Sequence, residues 1–132
     1  MIPFIYDISN DISNLLDSDS SKARNVTALS TGGTKLLILG FGFSENSALG
    51  NQVLIDNIIE CEIVTYYTTP SQIQCIVPPY NKTGIALDIM VIIDNTQTAV
   101  FYNDSLVKIV YICKNINGFI KEFNVFFSYI FR

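Results

Sequence analysis

The chain has 132 residues, nearly half of them hydrophobic and only 15% charged, with a net charge of −4. That suffices for one domain with a modest core, and it is too apolar for a disordered tail. Eight Lys and Arg in an acidic chain are poor material for holding phosphates, and the absence of histidine removes Ser/His/Asp and Cys/His nucleophile arrangements and most zinc sites.

Ile2 to Ser9 reads as a first strand, with Ile2, Phe4, Tyr6 and Ile8 alternating and Pro3 at a position suited to a strand start. Residues 10–30 are rich in Asp, Asn and Ser and read as a long exposed loop. Asp17, Asp19 and Ser21 resemble the start of a calcium loop. Lys22 stands where that loop needs glycine, however, and Ala28 where it needs glutamate, so no metal site is read here. The chain then organises itself around Thr31 to Ser44. Gly32 and Gly33 permit a turn that a Cβ would oppose. Leu36 to Leu39 is apolar at every position, as in a strand buried on both faces, and Gly40 and Gly42 let the chain leave it sharply.

Further strands follow at Gln52 to Asp56, with Val53 and Ile55 on one face, and at Cys61 to Tyr67, with Cys61, Ile63 and Thr65 on one face. After a turn at Thr68 to Pro70, Gln72 to Val77 places Ile73, Cys75 and Val77 inward, and Pro78-Pro79 stops it. Ile85 to Ile93 is the strongest strand signal, with Ile85, Leu87, Ile89, Val91 and Ile93 on one face. Asp94-Asn95 opens a turn, Gln97 to Tyr102 returns, and Leu106 to Ile112 closes the series. Short strands at this spacing predict an all-β, antiparallel, immunoglobulin-like sandwich. Absence of tryptophan excludes the Cys-Trp-Cys core of antibody-type domains.

The remainder, residues 112–132, departs from this pattern. Phe119, Phe123, Phe126, Phe127 and Ile130 fall near helical spacing. Three readings stand: a membrane-surface helix, weakened by the missing basic face; a terminal segment that packs on the sheet or pairs with sequence outside this chain; and a wrongly placed gene end. No run approaches the roughly 18–20 apolar residues of a membrane span. Met1 lacks the basic start and apolar segment of a signal peptide. The chain is therefore expected to be either intracellular or a module of a longer protein, and its immediate entry into a strand favours the module.

Laid out together, residues 2 to about 111 resemble an IPT/TIG domain, the E-set-type immunoglobulin-like fold of plexins, scatter-factor receptors and some transcription factors. The resemblance rests on Pro3, Gly32-Gly33-Thr34, Gly40 with Phe43, Val53 to Ile55, Cys61, Cys75 with Pro78-Pro79, Ile85 to Ile93, and Phe101-Tyr102. It implies a domain over residues 1–111, with residues 112–132 as a divergent tail. The Asn/Ile/Ser-rich texture also resembles large adhesion-type surface proteins of social amoebae and other protists, in which such domains stand in tandem.

The resemblance makes Cys61 and Cys75 a disulfide, against the alternative of two buried free thiols, and leaves Cys113 over. Sequons occur at Asn25, Asn81 and Asn103, all in predicted loops or turns, where a glycan fits. Tyr66-Tyr67 and the alternate side of the long strand (Ala86, Asp88, Met90, Ile92) offer a binding face, with cover by a second sheet or the tail as the plainer account. Asp88 and Asp94 do not converge as paired acid/base carboxylates must, and no catalytic, cofactor-binding or metal site is expected.

The functional expectation is a non-enzymatic, extracellular interaction or spacer module of a larger cell-surface protein, in adhesion or recognition. Its partner would be a protein or a neighbouring domain, with no nucleic acid bound and membrane attachment only through a span elsewhere. The alternative is an intracellular dimerisation or accessory domain of a transcription factor. An accessory domain of a carbohydrate-active enzyme ranks third, because it should expose a platform of aromatic rings.

Overall fold

The computed structural model describes residues 2–11, 24–46, 49–102 and 106–113. Within them run eleven strands: β1 (Phe4–Asn10), β2 (Arg24–Leu29), β3 (Lys35–Phe41), β4 (Asn51–Ile55), β5 (Ile59–Ile63), β6 (Gln72–Ile76), β7 (Ala86–Leu87), β8 (Ile89–Ile93), β9 (Gln97–Thr98), β10 (Val100–Phe101) and β11 (Val107–Ile112). One ribbon runs β10-β1-β3-β6-β5-β4-β8-β9, and a smaller sheet runs β2-β11-β7. The result is the immunoglobulin-like sandwich expected from the sequence.

Alternation builds the core. Leu36 and Ile38, Val53 and Ile55, Ile73 and Cys75, and Ile109 and Tyr111 all point inward and are fully buried. Each such Leu or Ile contributes about 2 kcal/mol of burial. The ribbon turns its corner at β5. Cys61 pairs with Val53 on β4, and two residues later Ile63 pairs with Cys75 on β6. Two tight turns, Asp56-Asn57 and Asp94-Asn95, hold both central residues at φ of 51 to 60°. Ile58 and Thr96 donate their N–H back across these turns to Ile55 and Ile93. That geometry matches the strand twist, and Asp and Asn are among the residues that tolerate it.

Several sequence expectations are corrected. Arg24–Leu29 lies inside the predicted loop yet is strand β2, with Val26 and Ala28 buried and paired in parallel to β11. In β1 the inward residues are Ile5 and Ile8, whereas Ile2 and Tyr6 are exposed. The pairing with β3 shifts between Ile5 and Asp7, and that bulge reverses the alternation. β3 is buried on one face only, since Leu37 and Leu39 are half-buried. The strand at Cys61 ends at Ile63, and Thr65–Tyr67 forms a 3-10 turn.

The long strand at Ile85 to Ile93 is divided at Asp88. β7 pairs with β11 in the small sheet, and β8 pairs with β4 in the ribbon. Leu87 through Ile93 keep the inward face, while Ile85 is exposed. Gln97 to Tyr102 likewise splits into β9 on β8 and β10, which pairs in parallel with β1. The sandwich is thus antiparallel apart from β1·β10 and β2·β11.

Gly32 and Gly33 adopt φ of 88 and 94°, as the paired-glycine turn requires. Gly40 serves a different need. A Cβ there would run into the Phe4 carbonyl and the Phe43 ring, so β1 and the Phe43 turn close over β3 only because that side chain is missing.

Candidate interaction surface

Chain direction gives the sandwich two ends. β1 starts at Phe4, opposite Phe41 at the far end of β3, and β11 finishes at Ile112, opposite Leu29. Ser30 donates its N–H to the Ile112 carbonyl, and Leu29 donates its N–H to the Thr34 hydroxyl just before β3 begins. β1 therefore starts at one end of the sandwich, here the entry end, and β11 finishes at the other, the exit end, about 20 Å away for a seven-residue strand.

At the entry end, Ser44 donates its N–H to Asn51 Oδ1 (3.0 Å) and its hydroxyl to Asp94 Oδ1 (2.7 Å). Asn51 is buried, and its Nδ2 has no hydrogen-bond partner among the described residues. A shallow cleft of about 560 Å³ opens nearby between Leu49, Gln52, Glu60, Glu62, Ile63 and Asn95. At the exit end, Tyr80 Oη and Lys82 Nζ both donate to Asp56 Oδ2, at 2.7 and 3.0 Å. These two bonds, Tyr80 first, hold the Asp56 carboxyl below its ordinary value, and Asp56 in turn raises Tyr80 and Lys82. Tyr111 is buried, donates to the Pro78 carbonyl (3.1 Å) and packs its ring on Tyr80. Burial pushes its phenol well up.

Cys61 and Cys75 form a disulfide with Cα atoms 5.5 Å apart, on the β5 corner that joins the β4 and β6 sides of the ribbon. Cys113 is free and half-buried. Asn81 is exposed just beyond Tyr80, whereas Asn25 is exposed on strand β2 and not in a loop as its sequence context suggested. Asn103, the residues Asp17, Asp19 and Ser21, and the Phe-rich stripe lie outside the described residues.

Asp88 and Asp94 stand at opposite ends of β8. Asp88 pairs with Lys108 at 3.2 Å and Asp94 accepts from Ser44, so the two do not converge. Among the described residues no three of His, Cys, Asp and Glu come together. Tyr66 and Tyr67 are exposed, with ring centroids 4.9 Å apart in an edge-on contact. Met90 and Ile92 are half-buried on the outer side of β8, paired with Leu54 and Gln52, so the second sheet does not cover them.

The feature missed in the sequence is a four-ring cluster. Phe4 and Tyr6 of β1, Phe41 of β3 and Tyr102 after β10 pack edge-to-face with centroids 5.1 to 5.6 Å apart. Tyr6 and Tyr102 are each 45% exposed, so the cluster lies on the surface. The β1 bulge and the parallel β1·β10 contact create it, and neither leaves a mark in sequence periodicity. Its rings meet at interplanar angles of 62 to 90° and so present edges and not the flat platform that sugar rings stack on.

Residues 24–111 match the family model described as the IPT/TIG domain. No curated protein matches the chain at a significant level. Domains of that family are immunoglobulin-like modules for protein interaction or spacing, generally non-catalytic, and they occur in extracellular proteins.

Proposed function

The chain belongs to the IPT/TIG family, and from that premise we propose that it is a non-catalytic, extracellular interaction or spacer module of a larger cell-surface protein, working in adhesion or recognition. The observation that carries this reading is the Cys61–Cys75 disulfide at the β5 corner, because structural disulfides belong to oxidising compartments. Partners are proteins or adjoining domains, held by surface shape and exposed aromatic side chains such as Tyr66 and Tyr67. Glycans at Asn25, Asn81 and Asn103 belong to the same proposal.

Peptide mass mapping, without reduction, of the protein from its native cells tests it. A Cys61–Cys75 bridge together with sugar on any of the three asparagines is the expected result. Free thiols with bare asparagines would sink the extracellular reading and point to an intracellular accessory domain.

A further inference from the structure

Charge is unevenly spread over the sandwich. No Lys or Arg stands between Lys35 and Lys82, or between Lys82 and Lys108. Lys82 and Lys108 are themselves held by Asp56 and Asp88. Strands β4, β5, β8 and β9 therefore carry no cation. Glu60 and Glu62 are exposed on the outer side of β5 and pair with nothing among the described residues. Two residues apart on a strand, they stand about 7 Å from each other. Both line the entry-end cleft, where Leu49, 82% exposed, and Ile63 form apolar walls. Beyond Glu60, on the same side, Leu54 and Met90 are half-buried, so the cleft opens onto apolar surface.

A second observation comes from the neutral part of the same cleft. Asn51 lines it and is only 5% exposed. Its Oδ1 accepts from the Ser44 N–H, so the amide carries Nδ2 on the side away from Ser44, and that donor has no partner among the described residues. A buried donor without a partner is costly, and an arriving acceptor relieves the cost.

We propose that this cleft binds an extended, basic segment of a protein partner. Two Lys or Arg side chains at alternate positions of such a segment are also about 7 Å apart, and they set their cations on Glu60 and Glu62. A main-chain carbonyl of the segment accepts from Asn51 Nδ2, and an apolar side chain rests on Leu49 and Ile63. Opposed charge fixes register and speeds approach more than it adds affinity. The inference rests on the interaction reading above and names its partner chemistry, but it does not depend on the compartment.

The test is an NMR titration of the isotope-labelled full chain with the peptide acetyl-Arg-Leu-Arg-Leu-amide. A control peptide carries citrulline in place of both arginines, which keeps the shape and removes the charge. Saturable shifts are expected at Gln52, Glu60, Glu62 and Ile63 and at the Asn51 side-chain amide, with the citrulline peptide at least about tenfold weaker. Glu60→Gln/Glu62→Gln, changes on the exposed side of β5, should weaken binding by as much, and Glu45→Gln should leave it unchanged. Equal binding of the citrulline peptide, shifts confined to other surfaces, or an unresponsive Asn51 amide overturns the proposal. Saturation by calcium chloride with no response to the peptide also overturns it and makes the glutamate pair a cation site. Failure here beside an intact bridge and sugar removes this partner chemistry and leaves the extracellular reading standing.

Discussion

The two ends of the sandwich are closed by opposite means. The entry end depends on what is missing: Gly40 lets the Phe4 carbonyl and the Phe43 ring approach the backbone of β3. The exit end depends on large side chains with polar tips, Tyr111 reaching the Pro78 carbonyl and Tyr80 reaching Asp56. Backbone-to-backbone closure has no soft coordinate, whereas a phenol that loses its hydrogen bond keeps its ring packing. The entry end should therefore fail abruptly on substitution and the exit end in steps.

Gly40→Ala is the sharpest way to break that contrast. The added methyl meets a main-chain carbonyl that cannot rotate away, so a loss of about 3 kcal/mol or more is expected. Urea unfolding followed by circular dichroism reads it, and a loss under 1 kcal/mol would mean that the entry end is as forgiving as the exit end.

Next comes the corner between the ends. Cys61→Ala/Cys75→Ala opens a loop closed over 14 residues of separation and should cost about 3 kcal/mol on the chain-entropy account, with fold and strand content retained. Comparing urea midpoints of the oxidised protein and the double variant checks this. Coincident midpoints would show that the β5 corner holds without the bond.

At the exit end the steps are smaller. Tyr111→Phe keeps the ring and loses one hydrogen bond, leaving the Pro78 carbonyl short of a partner, for a cost of about 1 kcal/mol. The wild-type phenol also sets an alkaline limit. Its folded value is raised, so its contribution is complete below the ordinary phenol value of about 10 and falls as pH rises past it. Stability measured between pH 9 and 11 should decline less steeply in Tyr111→Phe, and parallel curves would contradict the assignment.

The smallest effect is expected at Asp56. Its folded value is lowered, so its contribution is present above the ordinary carboxylate value of about 4 and is lost as pH falls through the lowered one. Asp56→Asn should flatten the acid limb slightly, and a thermal melt series from pH 2 to 6 reads the difference. An unaltered acid limb would leave the Tyr80 and Lys82 contacts without weight in stability.

The same contrast explains what could be read from the sequence. Val53 and Ile55, Ile73 and Cys75, and Leu87 through Ile93 announce their inward face because one buried side repeats every second residue. The bulge in β1 defeats that reading, since one extra residue exchanges the inward and outward sets, so that Tyr6 faces solvent where strict alternation would bury it. β2 was hidden for another reason. Only Val26 and Ala28 mark it within polar surroundings, and its strand state comes from pairing with β11, far along the chain.

By itself the sequence determined the all-β class, most strand positions, the turn at Asp94-Asn95, and, through the pattern of its glycines, cysteines and prolines, the family. These are local or order-preserving properties, set by side-chain alternation and by residues with special backbone freedom. Only the tertiary structure decided that the long strand divides at Asp88 between two sheets, that β2 joins β11 and β10 joins β1 in parallel, and that four rings from three separated segments meet on one surface. Those outcomes depend on which distant backbone edges find each other, and period-two alternation says which side of a strand is apolar without saying which strand lies beside it.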